Sequence, residues 1–330
     1  MKILFSSYFF PPGVGGIEEV GNILAREFMR AGHEVVVATQ TMGDGQFPFD
    51  VKRRPGMAEL QRLTLWSDVV FHNNISLRTA WPLLWVRRPW VVAHHTWIAR
   101  VDGRRAAVDR LKLRAIRGAH NVAVSRAIAA SLGVAARVIP NPYRDEIFCR
   151  TNEGRREGDI LFVGRMVSDK GADVLVKALG ILKGRGASMP ATLVGDGPER
   201  RALEEQARGL DVAFVGVKRG RDLAEILNAH RVLVVPSRWE EPFGVVALEA
   251  MACGCVPIVV KAGGLPEAVG EVGAVFEKED AHALADLLQT YGRDEEWLAE
   301  MRGRCALQIE GNRPGVIASE YLHVLEEAVR

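Results

Sequence analysis

VLVVPSRWEEPFGVVALEAMACGCVPIVV, residues 232–260, decides the fold. Two apolar, β-branched runs, VLVVPS (232–237) and VPIVV (256–260), flank a loop marked by proline and glycine and then a helical stretch opening near Phe243 or Gly244. Strand, loop, helix and strand in that order form one βαβ unit, the building block of a parallel sheet covered by helices.

The same alternation extends in both directions. Upstream within the second half lie DILFVG (159–164), ATLVG (191–195) and VAFVG (212–216). The first half repeats the pattern with KILFSS (2–7), VVVAT (35–39), VVFHN (69–73), WVVAHH (90–95), NVAVS (121–125) and RVIPN (137–141), with helices between, such as 17–31 and 104–117. Between the two series, residues 142–158 (PYRDEIFCRTNEGRREG) collect proline, glycine and charge and read as a linker. After about residue 280 the strands stop, and two or three helices follow, the last over 314–329. Two Rossmann-like domains are therefore expected, bounded as 1–145 and 146–312, with 313–330 a helix crossing back to the first. Ligands are expected at the carboxyl ends of the strands.

Composition agrees with an ordinary folded protein: 330 residues, 48% hydrophobic and 25% charged. No apolar run reaches the roughly 18 residues of a membrane span, and the opening MKILFSSYFFPP is broken by proline too early for a signal peptide, so a cytoplasmic protein is expected. Cys149, Cys253, Cys255 and Cys305 have neither zinc spacing nor disulfide density and read as buried thiols. The net charge of +2 hides an asymmetry, since residues 1–150 hold 21 Lys and Arg against 12 Asp and Glu, a net +9, and the remainder 22 against 29, a net −7. Five of the seven tryptophans, Trp66, Trp81, Trp85, Trp90 and Trp97, fall in one stretch beside Arg87, Arg88, Arg104 and Arg105. That mixture suits a peripheral membrane contact, although core packing accounts for several of the rings equally well.

Three segments have the residue types for phosphate and sugar chemistry. YFFPPGVGG (8–16) runs into a helix opening with Ile17, Glu18 and Glu19, so Gly15 and Gly16 stand where backbone N–H groups and the helix dipole favour an anion. GRMVSDKG (164–171) brings Arg165 and Lys170 to one strand-to-helix turn, where both could converge on a diphosphate or simply be solvated loop cations. In the opening segment Glu241 falls at the helix mouth and Glu249 inside the helix, with apolar Val245, Val246, Leu248 and Met251 around the latter. Two carboxylates on one element suit vicinal hydroxyls, whereas the plainer reading is that they favour a helix N-terminus and an exposed helix face.

The 241–249 segment resembles the E-x7-E signature of retaining GT-B glycosyltransferases, in particular family 4 (glycosyl transferases group 1). Further matches fall in register: GGIE (15–18), NVAVS (121–125), VIPN (138–141), GRMVSDKG (164–171), VGDGP (194–198), FVG (214–216), EPFG (241–244), EAMACG (249–254) and GGLPE (263–267). The resemblance implies an α/β GT-B fold, two Rossmann-like domains facing a central cleft. It implies retaining transfer of a hexose-type sugar from a nucleotide diphosphate sugar, UDP-linked first and GDP-linked second, to an unidentified glycan, lipid-linked or small-molecule acceptor. No metal or other cofactor is implied, and no nucleic acid.

By the same resemblance, Arg165 and Lys170 bind the donor diphosphate and Glu249 the ribose. Glu241 and the backbone around Phe243 and Gly244 hold the sugar and distal phosphate, and Val217 meets the base. The pair His95–Thr96 aligns with a cleft histidine, so His95 is assigned to the acceptor or sugar, with His94 as the alternative. One departure is Asn141-Pro142-Tyr143-Arg144, where the family usually has Asn-Gly-Val-Asp. An epimerase, a phosphorylase and a non-catalytic nucleotide-sugar-binding protein stay open; EPFG with GGLPE argues for transfer.

Overall fold

In the computed structural model, residues 1–13, 15–99, 104–151, 156 and 158–330 are described. The chain divides into two compact units, Met1–Pro142 with Arg313–Arg330, and Tyr143–Asn312. Val14 of the glycine turn and residues 152–155 and 157 of the expected linker lie outside the described residues.

The first unit contains seven strands, β1 (Lys2–Ser7), β2 (Glu34–Thr39), β3 (Asp50–Arg53), β4 (Val69–Asn73), β5 (Trp90–His94), β6 (His120–Ala123) and β7 (Arg137–Val138). All pair in parallel, in the order β3-β2-β1-β4-β5-β6-β7. The second contains β8 (Gly158–Val163), β9 (Ala191–Val194), β10 (Val212–Gly216), β11 (His230–Val235), β12 (Val256–Val260) and β13 (Ala274–Phe276), parallel in the order β10-β9-β8-β11-β12-β13. Each sheet therefore starts in the middle, runs to one edge and returns to run to the other. The direction reverses between β1 and β4 in the first sheet, and between β8 and β11 in the second. At such a reversal the loops leaving the two strands turn to opposite faces and leave a crevice at the carboxyl ends, the usual ligand position in Rossmann folds.

The central strands β4, β11 and β12 are buried along their whole lengths, with apolar residues at most positions, as strands covered on both faces require. In the first unit Phe5, Phe28 and Phe71 meet in tilted and edge-on contacts, with Phe5 and Phe71 4.8 Å apart between ring centroids. The helix Pro314–Val329 completes this core, burying Ile317, Ala318, Tyr321, Val324 and Leu325. Pro314 opens that helix, where its missing N–H costs nothing.

Two sequence expectations are corrected. Cys253, Cys255 and Cys305 are buried, and burial pushes each thiol up to about 12, but Cys149 is exposed. The first part of the expected linker is packed, with Tyr143 and Phe148 buried and the Arg144 guanidinium 5.5 Å above the Phe148 ring. Among the described residues no helix is long and apolar enough to cross a membrane.

Candidate functional site

The reversal in the second sheet lies where two of the sequence-marked loops emerge. Arg165 and Lys170 follow β8, and Glu241 follows β11. The 3-10 turn Ser168–Lys170 ends at Gly171, which has φ +66° and directly precedes the helix Ala172–Gly184. Any side chain at Gly171 would strike the Pro236 carbonyl, so glycine is what allows the two loops to approach. Backbone bonds close the approach: the N–H groups of Arg238 and Trp239 donate to the Asp169 carbonyl at 2.8 and 3.1 Å.

Arg238 is the clamp. Its guanidinium forks onto both oxygens of Asp173 at 2.6 and 2.7 Å and also donates to Glu279 at 2.7 Å and to the Ser168 carbonyl at 2.9 Å. These bonds hold the Asp173 carboxyl down at about 2 and push the Arg238 guanidinium further up. Sequence reading missed the pair, because Asp173 and Arg238 are 65 residues apart and ion-pair partners at that separation leave no local signal.

The clamped loops place Lys170 Nζ 2.5 Å from Glu241 Oε1, and Ser237 Oγ donates to the same oxygen at 2.9 Å. The ammonium also lies 5.8 Å from the Trp239 ring centroid, within cation–π range. Arg165 is exposed, and its guanidinium has no hydrogen-bond or ion-pair partner among the described residues. Beneath this, the GGLPE turn supports EPFG backbone to backbone: Gly264 N–H donates to the Glu241 carbonyl at 2.7 Å, and a Cβ on Gly264 would come within 2.9 Å of Phe243 Cα. Phe243 is buried, and Gly244, at φ +109°, precedes the helix Val245–Ala252. Glu249 is half-buried on that helix, and Val217 is exposed after the edge strand β10.

In the first unit the reversal between β1 and β4 carries the glycine turn. Gly15 precedes the helix Gly16–Arg30, Gly16 has open space where a side chain would be, and a Cβ on Gly15 would meet the Glu18 carboxylate at 2.5 Å. Asn73, at the end of β4, ties the turn down by donating to Ser7 Oγ and to the Ile17 carbonyl, both at 3.0 Å. Its neighbour Asn74 accepts a hydrogen bond from the His95 backbone N–H at 2.7 Å. Two consecutive amides thus connect the glycine turn to His95. Neither amide was marked in the sequence reading, and the pair Asn-Asn directly after an apolar strand was the available signal.

The two histidines at the end of β5 differ. His94 Nε2 is 2.9 Å from Asn121 Oδ1, and Asn121 Nδ2 donates to the Ile116 and Ala119 carbonyls, so the amide orientation is fixed and His94 Nε2 donates into it. His95 Nδ1 is 2.9 Å from Asn141 Oδ1, and its buried Nε2 has no partner among the described residues. Burial lowers both imidazoles to about 4, with the Asn121 and Asn141 bonds opposing it. His95 is therefore neutral at pH 7, with Nδ1 protonated toward Asn141 and an Nε2 lone pair able to accept a hydroxyl proton.

A pH dependence of stability follows. Buried His72 is lowered to about 3 alongside His94 and His95 at about 4, all below the ordinary 6.5 of the unfolded chain. Between those values the unfolded state binds more protons than the folded one, so stability is full above about pH 6.5 and is lost as pH falls toward 4. Melting temperatures measured from pH 7.5 down to 4 should fall steeply through this window; a flat profile would show that the imidazoles protonate in the fold.

Comparison with known proteins agrees with this architecture. Residues 157–294 match the family described as glycosyl transferases group 1. An uncharacterised glycosyltransferase of Methanocaldococcus jannaschii is 39% identical over 115 residues, 33% of this chain and 29% of that protein. The glycogen synthase of Mycobacterium tuberculosis is 34% identical over 156 residues, 46% of this chain and 37% of the synthase. The chain thus spans only about a third of the length of these curated relatives. Among solved structures, Anabaena HepE in complex with UDP superposes with a TM-score of 0.82 at 22% identity, over 99% of this chain and all of that one. At that identity the likeness is one of fold, the GT-B class with two Rossmann-like units. The loops that carry Arg165, Lys170, Glu241 and Glu249 all lie within residues 157–294, the part of the chain that matches the glycosyl transferases group 1 family.

Proposed function

We propose that the chain is a glycosyltransferase that moves a hexose-type sugar from a nucleotide diphosphate sugar to an acceptor hydroxyl, with retention of configuration and without a metal ion. The observation that carries the reading is the convergence of the β8 and β11 loops, which sets Lys170 on Glu241 at the sheet reversal, with Arg165 exposed on the same β8 loop as Lys170. An exposed guanidinium and an ammonium on one turn are what a diphosphate requires in place of a divalent cation.

In this reading Arg165 forks the diphosphate and Lys170 neutralises the charge that grows on it as the bond from the sugar C1 breaks. The acceptor oxygen attacks C1 from the same face, and its proton passes to an oxygen of the departing phosphate. Glu241 holds the sugar hydroxyls with the backbone of Phe243 and Gly244, Glu249 holds the ribose, and Val217 meets the base. From the first unit, His95 accepts a hydroxyl of acceptor or sugar at Nε2, and Gly15 and Gly16 present backbone N–H groups to the donor. HepE has been solved with UDP-glucose, which supports a uridine donor ahead of a guanosine one.

Melting the protein against UDP-, GDP-, ADP- and dTDP-sugars tests the donor. A preferred donor at a hundred times its Kd should add about 2.7 kcal/mol of stability, and uniform curves across the panel would overturn the reading. With that donor, turnover should be unchanged in EDTA, and the product anomer read by NMR should match the donor's. An inverted product would sink retention.

A further inference from the structure

The positive charge of residues 1–150 is concentrated in one stretch of the sequence. Residues 77–118 hold ten Lys and Arg against two carboxylates, a net +8 of the +9 carried by residues 1–150. Arg78, Arg87, Arg110, Arg114 and Arg117 are all exposed there, and the single described carboxylate, Asp109, is buried beneath them.

Within that charge stands an apolar tip. The 3-10 turn Trp81–Leu84 delivers Leu84 and Trp85 into solvent, 77% and 69% exposed, directly before Arg87. Behind the tip runs a groove of about 660 Å³ lined by Trp81, Leu83, Val86, Trp90 and Leu111. The helix Ala107–Ala115 continues the surface, exposing Val108 and Leu111 on the same element as Arg110 and Arg114. Trp90 at the groove is held by its indole N–H donating to His72 Nδ1 at 2.7 Å, so the wall is preformed.

We infer that this face docks peripherally on an anionic phospholipid bilayer. Leu84 and Trp85 enter the boundary between headgroups and acyl chains, an acyl chain occupies the groove, and the arginines lie on lipid phosphates. The charge selects this occupant. A second copy of the same face would set two clusters of like charge against each other, and a nucleic acid offers nothing aliphatic to fill a groove lined by Trp81, Leu83 and Leu111. The inference is independent of the sugar-transfer reading, because it needs no donor and no residue of the second unit.

Partition of the full chain onto vesicles of phosphatidylcholine, alone or with phosphatidylglycerol, tests it. Binding should be stronger on the anionic vesicles by about tenfold or more and should weaken as salt is added. Leu84→Ser with Trp85→Ser should reduce that binding by about tenfold, as the apolar tip is lost. Arg110→Glu with Arg114→Glu should do the same through charge. All four side chains are exposed, so the melting temperature should not move and loss of binding will not be loss of fold. No partition onto anionic vesicles overturns the inference, as does equal partition of the serine variant. A dimer in sedimentation that the serine variant abolishes, without vesicle binding, overturns it in favour of a second copy.

Discussion

Lys170→Ala should lower kcat by about a hundred- to a thousandfold with the preferred donor while leaving the circular dichroism spectrum unchanged. Lys170 belongs to no core, with its side chain half-buried at the carboxyl end of a sheet, and its described side-chain contacts are Glu241 and the face of Trp239. Removing it leaves the Glu241 carboxylate with Ser237 as its remaining described hydrogen-bond donor, so a small fall in melting temperature is expected and unfolding is not. What is lost is a positive charge aimed where negative charge develops on the leaving diphosphate, an interaction stronger in the transition state than in the bound donor. The fall should therefore appear in kcat more than in KM. Near-normal turnover by Lys170→Ala would remove the β8 turn from the chemistry.

The largest effect on stability is expected at the other end of the chain. Tyr321 is fully buried, with its ring 5.6 Å from Phe71 at 90°, and its hydroxyl has no partner among the described residues. Tyr321→Ala should cost about 3–5 kcal/mol, the transfer of the ring plus the cavity it leaves in the Phe5–Phe28–Phe71 cluster. Tyr321→Phe should do the opposite, since it keeps the edge-on contact and removes a buried hydroxyl that nothing satisfies, for a gain of about 1 kcal/mol. Urea unfolding of the two variants beside the parent separates the ring from the hydroxyl. Destabilisation by Tyr321→Phe would show that the oxygen has a partner in solution.

The parallel α/β architecture was legible because buried central strands open on or consist of apolar, β-branched runs, as in VVFHN and VPIVV, and those two strands begin and end where the sequence places them. β3 and β13 were not found. Asp50–Arg53 contains three charged residues and has no buried position, since an edge strand pairs on one side only. Ala274–Phe276 is three residues long and half-exposed. The charges of 142–151 hid the buried Tyr143 and Phe148, so a packed segment read as a linker.

For the site, residue type and spacing picked out Arg165, Lys170, Glu241 and Glu249, but not that Lys170 would meet Glu241, 71 residues away. That contact depends on β8 and β11 being neighbours, a property of strand order that no local pattern records. The same holds for Asn141, quoted as part of a motif yet recognisable as the partner of His95 only once β5 and the segment after β7 are placed. Arg238 and Asp173, which hold the two loops together, looked like any surface charges.

The helix Pro314–Val329 also has a consequence for synthesis. The first 142 residues leave the ribosome well before Ile317, Tyr321 and Leu325, the side chains that close their core. Residues 143–312 are contiguous and need wait for nothing downstream, so the second unit is free to fold first. The amino-terminal unit must hold Phe5, Phe28 and Phe71 against an unfinished face for the time it takes to translate some 170 residues, until the helix Pro314–Val329 is made and covers it.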